Sequence, residues 1–199
     1  LYIGISSKLS ASYQSSLIAL EKSDPQLKIA VDSLNLSTGI GLLVLKAAEL
    51  SRMGKSAIQI AEQIHQDVAK VHSSFVIDTL DYLYKGGRCS ALELLAASLL
   101  RIRPVIEVLP DGTLGIREKL GGNRKKAMLS MVVELLSHRE DLDPQRVFVT
   151  HCACPEDAEF LKSELETLAI FSEVLVTEAG STIASHCGPK TIGILYMTK

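Results

Sequence analysis

Apolar positions along this chain alternate between short unbroken runs and helical spacing. Leu1 to Ile5 is an apolar run suited to a buried strand, and from Leu9 the apolar residues fall at Leu9, Tyr13, Leu17 and Leu20, one face of a helix. Asp24-Pro25 then marks a turn, and a mostly apolar strand runs from Leu27 to Val31. A polar loop over 32–39 holds Ser33, Asn35, Ser37 and Thr38. Ile40, Leu43, Val44, Ala47 and Ala48 predict the next helix, with Gly54 at its C-terminal cap. Ser56 with Gln59 reads as a capping box for a helix that buries Ile60, Ala61, Ile64, Val68 and Val71.

From Ser73 the pattern changes. Ser73 to Asp78 reads as a strand, and Thr79 to Tyr84 as a short helical piece that ends in the turn Lys85-Gly86-Gly87-Arg88. Ser90 and Glu93 form a second capping box, opening a helix whose leucines, from Leu92 to Leu100, cover most of its circumference and so require burial. Pro104 stops that helix. Val105 to Leu109, Pro110-Asp111-Gly112 and Thr113 to Lys119 then read as a hairpin. Gly121-Gly122-Asn123 leads into a helix with Ala127, Met128, Met131, Val132, Leu135 and Leu136 inward. The remaining third alternates: strand Val147–His151, helix from Pro155, strand Ser172–Thr177, helix Ser181–Cys187, strand Thr191–Met197. This β-α-β-α-β order predicts an α/β protein with mainly parallel sheets covered by helices.

Composition narrows the class without naming a function. With 199 residues, 47% hydrophobic and 22% charged, the chain can bury a sizeable core, as one large domain or two small ones. A net charge of -2 argues against a general nucleic-acid binder. No apolar run approaches bilayer length and no basic-then-apolar signal segment opens the chain, so the cytoplasm is the expected compartment. Four cysteines (Cys89, Cys152, Cys154 and Cys187) are too few for a disulfide scaffold and are expected to be reduced thiols.

Three groups of residues bear on chemistry. Ser6, Ser7 and Ser10, between the first strand and the first helix, place hydroxyls beside the unpaired N–H groups expected at a helix start, which favours a carboxylate or phosphate. The same serines serve equally as plain caps, and no Gly-x-Ser-x-Gly elbow surrounds them, so hydrolysis is not expected. Ser185-His186-Cys187-Gly188-Pro189 forces a turn that leaves His186 near a helix end. His151, Cys152 and Cys154 with His186 and Cys187 offer zinc-type ligands but lack a closed four-ligand spacing, so no metal site is expected. Arg117, Lys119, Arg124, Lys125 and Lys126 form a basic cluster that reads as a solvated face or as a receiver for phosphate or an acidic partner.

Taken in order, GISSKLSASYQSS, DSLNLSTGIG, DTLDYLYKGGRCS, IRPVIEV with DGTL, GGNRKKA and SHCGPKTIGILY resemble the DegV family of bacterial fatty-acid-binding proteins. The chain departs from the family at one place, with His186-Cys187-Gly188-Pro189-Lys190 where His-x-Gly-Pro-Gly is usual. The resemblance implies a two-domain fold with an incomplete N-terminal domain (residues 1–72) and a C-terminal α/β domain (73–199). It also implies that the opening strands of a family member, with their aspartate-serine/threonine motif, precede Leu1. Ile3 and Ile29 would then lie in central strands left uncovered, and self-association is expected.

By the same resemblance a long-chain fatty acid lies in a tunnel between the domains. Ser6 and Ser7 hold its carboxylate, Arg88 and His186 lie toward the cleft mouth, and no cofactor is needed. In several relatives such a protein is the acyl-carrying subunit of a fatty acid kinase, presenting the carboxylate to a separate ATP-binding subunit and not catalysing the transfer itself. Read from the residues alone, the rival is a stand-alone enzyme acting on a small carboxylated or phosphorylated substrate at Ser6, Arg88 and His186.

Overall fold

The computed structural model describes residues 1–22, 28–88 and 102–199. The Asp24-Pro25 turn, the start of the second strand at Leu27, Cys89, the Ser90/Glu93 capping box and the leucine-rich helix to Leu100 lie outside the described residues. Two compact units are present: Leu1–Val71 with Leu109–Thr113, and His72–Val108 with Leu114–Lys199.

In the first unit, β1 (Tyr2–Gly4) pairs in parallel with β2 (Ala30–Asp32), matching Gly4 to Asp32. Helix α1 spans Ser12–Lys22 with Tyr13, Leu17 and Leu20 half-buried, the stripe the spacing predicts, although no residue of it is fully buried. It begins later than expected: Leu9 and Ser10 donate to Ser6 O in a separate turn, so Ser6 and Ser7 precede the helix by more than a turn. α2 (Ser37–Arg52) is closed by Gly54, whose N–H donates to Ser51 O. α3 (Ala57–Asp67) carries the expected capping box, with Gln59 N–H donating to Ser56 Oγ and Ser56 N–H to Gln59 Oε1. Ile60, Ala61 and Ile64 are its buried face, but the helix ends at Asp67; Val68 falls in a 3-10 turn and Val71 in the next strand.

The second unit is built on six strands: β3 (Val71–Val76), β4 (Ile102–Val108), β5 (Leu114–Gly121), β6 (Leu142–His151), β7 (Glu173–Glu178) and β8 (Ile192–Thr198). Their order is β5-β4-β3-β8-β6-β7. α4 (Asp81–Lys85) follows β3, while α5 (Arg124–Ser137), α6 (Pro155–Thr167) and α7 (Ser181–Cys187) join the later strands. Met131 and Leu135 of α5 and Leu161 and Leu165 of α6 pack with Val105, Val147, Val149, Ile192 and Ile194 of the sheet in one fully buried cluster. Pro104 lies inside β4, beyond Val105, where the described β3 ladder ends.

The sheet corrects the expectation of mainly parallel pairing. β6 and β7 pair in parallel, but β3–β4, β4–β5 and β6–β8 are antiparallel, so the sheet is mixed and mostly antiparallel. Connector length explains the difference. The 13 residues of α6 span about 20 Å at 1.5 Å per residue, enough to carry the chain back along β6 before β7 starts. The 7 residues of α7 span only about 10 Å. β8 therefore starts at the end where β7 finished, with Ile192 opposite His151, and must run the other way.

Candidate functional site

Ser6 is fully buried, and its hydroxyl donates to Gly112 O at 2.8 Å while accepting Lys8 N–H at 3.2 Å. Its backbone N–H donates to Asn35 O. It thus ties the β1–α1 turn to the 109–113 loop, and a Cβ built on Gly112 would lie 2.4 Å from the hydroxyl. Ser7 is half-buried; its N–H donates to both carboxylate oxygens of Asp32 at 3.2 Å, and its hydroxyl makes no hydrogen bond among the described residues. Asp32 accepts Leu34 N–H as well. The backbone donors expected to meet an anion are therefore engaged within the chain, Ser6 N–H by Asn35 O and Ser7 N–H by the Asp32 carboxylate, and the helix dipole is displaced from both serines.

In the second unit, Arg88 and His186 meet at one residue. Arg88 Nη1 donates to Gly86 O at 2.5 Å, closing the turn that follows α4. His186, in the last turn of α7, packs its ring on the same glycine: a Cβ on Gly86 would lie 2.2 Å from His186 Nδ1. That nitrogen is buried and has no hydrogen-bond partner among the described residues. Gly188, at φ +80, ends α7 and lies under the ring of Tyr82 from α4, so the two glycine-marked turns lock α4 to α7. The sequence places Arg88 and His186 almost a hundred positions apart. Their shared contact at Gly86 is visible only in the fold.

The other candidates find local partners. His151 Nδ1 accepts Cys154 N–H, and Cys154 Sγ donates to Thr191 O. Burial pushes the thiols of Cys152 and Cys154 up and that of Cys187 up to about 12, which keeps the metal-binding thiolate form scarce at neutral pH. The basic cluster is dispersed into pairs: Arg117 with Glu134, Arg124 with Asp157, and Lys125 over the Phe160 ring. A cavity of about 350 Å³ beside α6, lined by Arg124, Cys154, Asp157 and Lys190, holds none of Ser6, Ser7, Arg88 or His186. Among the described residues no helix is long and apolar enough to cross a membrane.

Sequence reading also passed over a polar cluster beneath the sheet, where His72, Glu134, His138 and Tyr196 converge. Glu134 and His138, four residues apart on α5 and its cap, gave a local signal; His72 gave none.

Comparison with known proteins bears on these sites together. The family model described as an uncharacterised protein of the DegV family matches residues 1–199. A DegV domain-containing protein of Clostridium perfringens is 35% identical over 202 residues, covering 99% of this chain and 69% of that protein. A DegV family protein of Thermus thermophilus, described as fatty-acid binding, is 29% identical with a TM-score of 0.85, covering 98% of this chain and 69% of that one. The fatty acid kinase B3 protein of Streptococcus pneumoniae, solved with linoleic acid, is 24% identical with a TM-score of 0.87 over 99% of this chain and 70% of that one, a likeness of fold. Because the family model spans every residue and the Clostridium relative is similar over nearly all of this chain, the chain belongs to the DegV family.

Proposed function

We propose that this chain binds a long-chain fatty acid and presents its carboxylate to a separate ATP-binding kinase subunit, acting as a carrier and not as the phosphoryl-transfer catalyst. The observation that carries the reading is the likeness, over 98% of the chain, to the Thermus protein described as fatty-acid binding. The junction at Gly86 supports it, because a guanidinium and an imidazole gathered at one turn suit an anionic group.

The energetics divide the labour. Burying about fourteen methylenes at roughly 0.8 kcal/mol each contributes on the order of 11 kcal/mol, against about 1 kcal/mol net for each neutral head-group hydrogen bond. The tail supplies affinity and the polar groups orientation. Native mass spectrometry of the chain, extended to the length of its relatives, is expected to show a co-purified fatty acid. Turnover of ester or phosphate substrates without a partner, and no bound lipid, would replace the carrier with an enzyme.

The two serines are expected to separate. Ser6→Ala leaves the buried Gly112 carbonyl without its donor, so it should lower stability by about 1–3 kcal/mol. Ser7→Ala removes a hydroxyl with no partner among the described residues, so it should leave melting unchanged and weaken fatty-acid binding by about 0.5–3 kcal/mol. Thermal melts and calorimetry read both effects. Unchanged binding in Ser7→Ala would remove that hydroxyl from the site.

A further inference from the structure

We propose that His72, Glu134 and His138 form a binding site for a divalent transition-metal cation of the zinc type. One imidazole nitrogen from each histidine and one carboxylate oxygen lie within 4.8 Å of one another, the one such three-residue group among the described residues. The site stands apart from the fatty-acid reading: His72 lies at the start of β3, second after Val71, and the strand's other end leads into α4 and the Gly86 turn.

The spacing suits the ion. Zinc holds nitrogen and oxygen ligands at about 2.0–2.2 Å, which places tetrahedral neighbours roughly 3.3–3.5 Å apart. His138 Nε2 and Glu134 Oε1 already stand 3.2 Å apart. The remaining contraction falls on side chains that are only partly buried, His138 being 36% exposed, which leaves them room to turn toward an ion. Three protein ligands leave the fourth position to water, and affinity should be lower than in a closed four-ligand site.

What surrounds the three residues resembles the outer shell of a metal site. The two oxygens of Glu134 are divided: Oε1 faces His138, while Oε2 faces Arg117 Nη1 at 3.2 Å. Tyr196 OH donates to both, at 3.0 and 3.1 Å. Arg117 is itself fixed by donating to Ser130 O. The His72 ring stacks on Tyr196, 5.0 Å away and 9° from parallel, which sets its orientation. Metal-bound carboxylates and imidazoles are held by such outer partners. Arg117 adds a positive charge beside the site.

The cysteines take no part in this site, whose ligands are two imidazoles and one carboxylate. The test uses the full chain, freed of metal with a chelator and titrated with Co²⁺ alone. The expected result is saturable binding of one equivalent, with weak visible bands typical of nitrogen and oxygen ligands, displaced by Zn²⁺. His138→Ala and Glu134→Gln should each weaken binding by more than the roughly 10–100-fold that loss of an outer-shell partner costs. In the unmutated chain, Zn²⁺ should shift the imidazole resonances of His72 and His138, which keeps the test decisive if a variant fails to fold. Absence of saturable binding, equal affinity in His138→Ala, or an intense sulfur-to-cobalt band placing the ion on the cysteines would each overturn the proposal. Fatty-acid binding should be the same with and without Zn²⁺, so the two readings fail separately.

Discussion

Gly188→Ala is expected to destabilise the chain by roughly 2–6 kcal/mol, seen as a fall in Tm of about 4–24 °C for a protein of this size. Two costs add. Gly188 lies at φ +80, ψ 170, a region that L side chains avoid, and occupying it costs about 1–3 kcal/mol. An added Cβ would also stand 2.3 Å from the Tyr82 ring, and forcing α4 away from α7 costs a further 1–3 kcal/mol or so. Gly87→Ala separates the two: its φ is +69, but nothing lies within 4 Å of a new Cβ, so only backbone strain remains. Melting curves of both variants decide the matter. A Gly188→Ala protein that melts with the unmutated chain, or no lower than Gly87→Ala, would mean that Tyr82 does not pin this turn.

That contact also shows where sequence reading stops. The turn at Gly188-Pro189 and the helix Ser181–Cys187 are legible because a helix stop is written in adjacent residues. The capping box of Ser56 and Gln59 is legible for the same reason, its two hydrogen bonds spanning three residues. What lies under Gly188 is not local, for Tyr82 is more than a hundred positions away. Ser6 is the same case: its position after β1 suggests a helix cap or an anion-holding hydroxyl, yet the partner is Gly112, 106 residues on. Asp32 reaches Ser7 because β2 runs beside β1 in a register that puts it opposite Gly4, and a register cannot be read from one strand. The sheet failed on a subtler point. Alternating strands and helices leave each strand's direction open until connector length is weighed against strand length, and seven residues were too few.

Loss of Arg88 or His186 is expected to reduce acyl-phosphate formation with a cognate kinase subunit on the order of a hundredfold, the scale for removing one positioned donor from a developing charge. Fatty-acid affinity should change far less, since the alkyl chain supplies most of it. The reasoning starts at Gly86, whose carbonyl accepts from Arg88 and whose Cα carries the His186 ring, so the two side chains share one support. Under the proposed carrier role, a guanidinium there would pair with a phosphoryl oxygen or an acidic partner surface, and an imidazole would donate to the carboxylate. Arg88 also closes its own turn, so Arg88→Ala is measured with its melting temperature beside it. Gly86→Ala supplies an independent perturbation. Its backbone, at φ -76, accepts alanine without strain, but the new methyl must displace His186. If presentation depends on where that ring sits, Gly86→Ala should lose phosphorylation while keeping lipid. Full phosphorylation in Arg88→Ala and His186→Ala would remove both side chains from the transfer step, and normal transfer in Gly86→Ala would show that the position of the ring is immaterial.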